Sequence, residues 1–162
     1  MKFQLENSVY LEDAEVLLPW DASSEEIALL ASSQVHTSHG RTEIFWSKQE
    51  CLDGLLCWLG ASFDHSPDKY STNTSGLRMM NVVALSIDDE TTFQGYKRVH
   101  EKFTSLFGPP TNKTVDQMNY PFSEWDLEEI LLTHFIHDRF GPIVTTEIWR
   151  KPLPQWRAES DK

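Results

Sequence analysis

The sequence predicts an α+β protein: a mainly antiparallel β-sheet with two α-helices packed on one face. Two segments have the apolar periodicity of amphipathic helices, and strand-like runs follow each of them. Hydrophobic residues make up 40% of the 162 residues, which is enough for one domain with a substantial core. We expect a single α+β domain over residues 1–150 and a C-terminal tail over residues 151–162. The order of elements also leaves open a division into two α-β-β(-β) halves.

The first predicted helix covers residues 23–33. Ser23 and Glu26 have the spacing of a capping box, and Ile27 begins an apolar side. Strand-like runs follow at residues 42–47, 54–63 and 77–87. Because the two longer runs carry large apolar groups on both faces, they are expected at the centre of the sheet. The polar segment 64–76 between them is predicted to be a mobile loop.

The second predicted helix covers residues 91–107, and its spacing places Phe93, Phe103 and Phe107 against the sheet. Gly108 and two prolines end it. The acids of residues 88–90 precede it, and we assign them to helix capping and to the helix dipole rather than to a cation site. A polar loop through Pro121 follows, and then a hairpin with strands near residues 129–137 and 143–150. The tail is a candidate for anchoring through Trp156.

The charge of the chain indicates the kind of partner it binds. Asp and Glu number 25 against 14 Lys and Arg, a net charge of −11, which argues against nucleic acid or an anionic membrane as a partner. The N-terminus has no apolar run typical of an export signal, so we expect a cytoplasmic protein. A candidate partner-binding site for a protein with a basic surface is the acidic segment, Glu124, Trp125, Asp126, Glu128 and Glu129. The alternative is a charged strand edge that prevents aggregation.

No motif in the sequence identifies a reaction. A P-loop, a Rossmann glycine fingerprint, a nucleophile elbow and a His-Glu-x-x-His helix are all missing from it, so we predict no catalytic residue, cofactor site or metal site. Two histidine pairs have a spacing of three, His36 with His39 and His134 with His137. Residues three apart on a strand point to opposite faces, so such a pair is unsuited to chelation. Cys51 and Cys57 are expected to be small buried hydrophobes; a disulfide between them is geometrically possible but is not expected in a reducing compartment.

Three functions are compatible with these features. The first is a non-catalytic protein-binding module, of the bacterial immunity or antitoxin type, that neutralises a basic toxin. The second is a small-molecule-binding or enzymatic domain with a pocket between sheet and helices, lined by residues such as His100 and His134. The third is a homo-oligomeric accessory protein, for example a homodimer, that uses the second face of the sheet. Trp58 and Met80 are predicted to lie on that second face, under a loop or the tail or exposed as an apolar patch.

Overall fold

An eight-stranded antiparallel sheet is the main element of the computed structural model, which describes residues 5–39, 41–64, 76–154 and 157. Over these residues the elements are β1 (Ser8–Leu11), β2 (Val16–Pro19), α1 (Ser24–Leu30), β3 (Gln34–Ser38), β4 (Arg41–Cys51), β5 (Leu55–Asp64), β6 (Met79–Ala84), α2 (Thr92–Phe107), β7 (Asn112–Val115), β8 (Pro121–Asp126), β9 (Ile130–Asp138) and β10 (Pro142–Arg150). β1 and β2 form a separate hairpin, and the order in the large sheet is β3-β4-β5-β6-β10-β9-β8-β7. The predicted α+β class and mainly antiparallel sheet are confirmed.

Strands β4 and β5 form the longest hairpin, and their alternation follows the predicted pattern. Ile44 and Ala61 are paired and buried, whereas Phe45 of β4 and Trp58 of β5 are exposed. β4 is longer than predicted because the register shifts at a bulge between Trp46 and Gln49, which lets the strand continue beyond residue 47.

Strand β6 places Met80 on the buried face, so the prediction for Met80 is wrong. Met80 lies between Ala61 of β5 and Ile148 of β10 and is fully buried. Both sides of this strand carry apolar residues, so alternation does not identify the core-facing side. The register with β5 and β10 decides it.

Helix α1 begins where the sequence predicts it, at the capping box of Ser23 and Glu26. It ends earlier than predicted, at Leu30, because Ala31 adopts an extended conformation. Ile27 is the apolar residue of this helix that is fully buried, while Leu29 is exposed.

Helix α2 also matches its predicted bounds closely. Its N-cap is Thr91, which forms a capping box with Gln94, and the acids before it do not occupy the cap. Gly108 ends the helix with φ +85°, a conformation that favours glycine. Phe103 is fully buried, but Phe93 is 52% exposed and its ring lies 6.1 Å from that of Tyr120. Phe93 is therefore not a core residue, contrary to the prediction that it packs in the core like Phe103.

The prediction of a polar loop between α2 and the last hairpin is wrong, because this segment contains strands β7 and β8. All four residues of the edge strand β7 are exposed, so no apolar alternation marks it. β8 begins at Pro121, and the first position of a strand tolerates proline. Strands β1, β2 and β3 are further elements that the sequence reasoning missed.

The predicted last hairpin is confirmed. β9 and β10 are in register from Ile130 opposite Arg150 to Asp138 opposite Pro142. In the segment after β10, Lys151 donates hydrogen bonds to Asp126 and to the Leu127 carbonyl, which attaches it to the β8–β9 turn. Trp156 and residues 65–75, most of the segment predicted to be a mobile loop, lie outside the described residues. Neither described helix combines the length and the apolar character needed to cross a membrane.

Candidate functional site

A groove of about 1010 Å³ crosses one face of the large sheet. Two large aromatic side chains border it: Trp58 is 57% exposed and Phe45 is 44% exposed. Strands β6, β9 and β10 contribute further lining residues, namely Asn81, Val83, Phe135, His137, Ile143, Thr145 and Glu147. We refer to the sheet face that carries these residues as the open face.

The register of the sheet produces the groove. Phe45, Gly60, Asn81 and Glu147 lie side by side on four neighbouring strands, β4, β5, β6 and β10. A Cβ atom at Gly60 would lie 3.3 Å from the ring of Phe45, so this ring rests over the glycine. The missing side chain at Gly60 thus allows Phe45 to lie along the sheet, next to Asn81.

Helix α2 packs on the opposite face from the groove. Phe135 and His137 of β9 line the groove, and the alternating residues His134 and Ile136 are buried beneath the other face. The ring of His134 stacks on that of Tyr96 in α2 at 4.5 Å between ring centroids. His134 is therefore a core residue, and it does not line the groove.

The polar groups of the groove are partly satisfied inside the chain. The Glu147 carboxylate accepts a hydrogen bond from Trp149 Nε1 at 2.9 Å, and His137 Nε2 lies 3.1 Å from Thr145 Oγ1. Among the residues that the structure describes, no lysine or arginine forms an ion pair with Glu147. Arg139 lies at the other end of the groove, beyond Ile143. The groove therefore contains both an uncompensated carboxylate and exposed aromatic rings.

The acidic segment is divided by the fold. Trp125 is buried, its Nε1 donates to the Gly108 carbonyl at 2.8 Å, and its ring lies 5.8 Å from that of Phe103. Its side chain belongs to the core between β8 and α2, away from solvent. Asp126 pairs with Lys151, whereas Glu128 and Glu129 are exposed in the β8–β9 turn. Glu124 is half-buried on β8.

The histidines that the structure describes do not form a metal centre with other ligands. His134 and His137 point to opposite faces of β9, as the alternation of a strand predicts. His39 Nδ1 lies 2.6 Å from Ser38 Oγ at the end of β3. Within the described ranges, no three His, Cys, Asp or Glu residues are close enough together to hold a metal ion.

Sequence reasoning identified one groove residue, Trp58, and missed Phe45, Phe135 and Glu147. The signal was present in the apolar residues on both sides of the long strands, because α2 packs on one face of the sheet and Trp58 and Phe45 are exposed on the other. No protein-family model, curated protein or solved structure matches this chain. The groove itself is therefore the basis for a functional conclusion.

Proposed function

We propose that this chain is a non-catalytic protein-binding module that holds a basic protein partner on the open face. The observation that carries this proposal is the exposure of Trp58 and Phe45 along the same groove as the uncompensated carboxylate of Glu147. Tryptophan is enriched among the residues that dominate binding energy at protein interfaces. A rigid sheet holds such side chains in place before the partner arrives, which lowers the entropic cost of binding.

The shape of the groove favours a protein over a small molecule. It extends over six neighbouring strands, from β3 to β9, which corresponds to a width of about 24 Å at the usual spacing of strands. Small-molecule sites enclose most of the surface of their ligand. Here the bordering rings are about half exposed, so a small ligand would remain largely in water.

The charge of the molecule favours a basic partner. A lysine or arginine of the partner could pair with Glu147 while its apolar stem packs on Trp58. The net charge of −11 would attract such a surface from a distance, and the exposed Glu128 and Glu129 would contribute to this attraction. In this proposal the two helices cover one face of two α-β-β(-β) halves, and the opposite face is used for binding.

The immunity or antitoxin type is the form of this proposal that we would test first, with a basic toxin as the partner. The test uses the product of the gene adjacent to this one and measures its binding kinetics to the immobilised chain. We expect Trp58→Ala to weaken binding by at least about tenfold, mainly through faster dissociation. Phe140→Ala is the matched control, because Phe140 is 94% exposed and lies outside the groove.

A second variant, Glu147→Gln, tests the basic character of the partner. Glutamine keeps an oxygen that can accept the hydrogen bond of Trp149, so the fold should be retained while the charge is lost. We expect weaker binding and a smaller dependence on salt, and Glu101→Gln on the exposed side of α2 should leave both unchanged.

The proposal fails if Trp58→Ala binds as tightly as the natural chain, or if Phe140→Ala loses as much affinity. It also fails if the natural chain binds neither the adjacent gene product nor any basic protein in a salt-reversible way. A dimer in light scattering that Trp58→Ala dissociates would support the homo-oligomeric alternative instead.

A further inference from the structure

Two buried thiols meet near the closed end of the β4–β5 hairpin. Cys51 is the last residue of β4 and Cys57 the third residue of β5, and both are free and fully buried. Their sulfur atoms are 3.2 Å apart. A disulfide bond is about 2.05 Å long, so roughly 1 Å of approach would suffice to form one. We propose that Cys51 and Cys57 are a disulfide-forming pair, a covalent modification site at the junction of the sheet with the N-terminal hairpin.

The bulge in β4 creates this pair. Before the bulge, the buried residues of β4 are even-numbered, such as Ile44 and Trp46. The register shifts by one between Trp46 and Gln49, so Cys51 turns toward the core and pairs with Leu55. Cys57, opposite Gln49, lies on the same side. The two cysteines are therefore diagonal neighbours on one face, within reach of each other.

The turn between the cysteines joins three parts of the molecule. The backbone N–H groups of Asp53 and Gly54 donate to the carboxylate of Glu12, in the β1–β2 turn. The Asp53 carboxylate pairs with Lys102 of α2 at 2.8 Å. A cross-link between Cys51 and Cys57 would close the hairpin end and hold this junction together.

The oxidation balances with a low-molecular-weight disulfide such as oxidised glutathione as the oxidant. One cysteine, deprotonated to its thiolate, attacks the small disulfide, which forms a mixed disulfide and releases one small thiol. The second cysteine then loses its proton and attacks the protein-bound sulfur, which forms the Cys51–Cys57 bond and releases the second small thiol. The protein loses two electrons and two protons, and the oxidant gains both.

The reaction should be slow in the folded chain. The hydrogen bond with Cys57, together with burial, raises the pKa of the Cys51 thiol well above its ordinary value. Few thiolates are thus present at neutral pH, and the oxidant reaches them only when the hairpin end opens. The position of equilibrium is therefore the quantity to measure, approached from both the reduced and the oxidised protein.

The experiment places the full chain in buffers of reduced and oxidised glutathione, with and without guanidinium chloride. After an acid quench, free thiols are alkylated under denaturing conditions and counted by intact mass. We expect the equilibrium constant for forming the intrachain disulfide to be at least about tenfold larger in the folded chain than in the denatured chain. The reason is that the fold holds the two sulfur atoms together. Cys51→Ser should yield only the mixed disulfide at Cys57. An equal or smaller constant in the folded chain, reached from both directions, would overturn the proposal.

Discussion

His134 lies at the centre of the contact between α2 and the sheet. Its Nε2 is 3.0 Å from the carbonyl oxygen of Tyr96, which only accepts hydrogen bonds, so Nε2 carries the proton. Its Nδ1 then accepts from the hydroxyl of Thr146 at 2.9 Å. Burial lowers the pKa of His134 to about 4, so the ring is neutral at physiological pH. Both nitrogens are satisfied within the core, which explains how a polar ring is accommodated there.

The stability of the folded chain should therefore fall in mild acid. Because the pKa of His134 in the folded state is below its value in the unfolded state, the unfolded chain binds the proton more readily between pH 6.5 and about 4. The contribution of neutral His134 to the free energy of unfolding is fully present above pH 6.5. It decreases as the pH falls toward about 4, and the total loss is about 3 kcal/mol at most. Burial lowers the pKa of His100 as well, which adds a contribution of the same sign. Urea unfolding between pH 7 and pH 5 measures the slope.

His134→Gln is the variant that isolates this effect. Its stability at pH 7 should be lower than that of the natural chain, because the ring contacts with Tyr96 and Phe103 are lost. The decrease in its free energy of unfolding between pH 7 and pH 5 should be clearly smaller than that of the natural chain. A slope equal to that of the natural chain would show that His134 does not govern the acid sensitivity.

At the scale of elements, local signals set the ends of the two helices. Thr91 accepts a hydrogen bond from the backbone N–H of Gln94, and the Gln94 side chain accepts one from the backbone N–H of Thr91. Beside this cap, Glu90 pairs with Arg98 at 2.8 Å, which lowers the pKa of the Glu90 carboxyl. The acid next to the cap thus ties the helix to the preceding loop.

Thr91→Ala should destabilise the chain by about 1 kcal/mol, because alanine leaves the backbone N–H of Gln94 without its partner. Ser105→Ala is the matched control, since Ser105 is exposed near the other end of α2 and lies outside the cap. Denaturant unfolding followed by circular dichroism measures both changes. A loss in Ser105→Ala as large as that in Thr91→Ala would contradict a specific role for the cap.

At the scale of the whole molecule, the acidic residues fall into two groups. Some acids stabilise the fold: the Glu12 and Asp13 carboxylates accept hydrogen bonds from backbone N–H groups of the β4–β5 hairpin. Others, such as Glu128 and Glu129, are exposed to solvent in the β8–β9 turn. The net charge alone does not separate these groups, and the tertiary contacts do.

Reversing the charge of Glu128 and Glu129 together should slow association with a basic partner roughly tenfold at low ionic strength. The dissociation rate should change little, because these residues lie outside the groove. Glu6→Lys with Glu15→Lys changes the net charge equally on the N-terminal segment and is the control. Stopped-flow binding at low salt and at about 0.5 M salt measures the rates. Equal slowing by both pairs would mean that net charge, rather than the β8–β9 turn, steers the partner.

Local pattern predicted those parts of the fold that depend on neighbouring residues. The capping box at Ser23, the end of α2 at Gly108 and the alternation of β5 all follow from contacts within a few positions of the chain. The exposed strand β7 lacks such a signal, because nothing packs against its side chains. Its existence depends on pairing with β8, a partner that propensity does not reveal.

The sequence by itself thus determined the α+β class, the two helices, the central strands and the acidic surface, since each depends on composition or short-range periodicity. The tertiary structure decided which side of each strand is buried. It placed Met80 and Trp125 in the core, assembled Phe45, Trp58 and Glu147 along one groove, and brought Cys51 to Cys57 through a one-residue bulge. The physical reason is that register has a period of two, so a shift of one residue moves a side chain to the opposite face, and only pairing between distant strands sets that register.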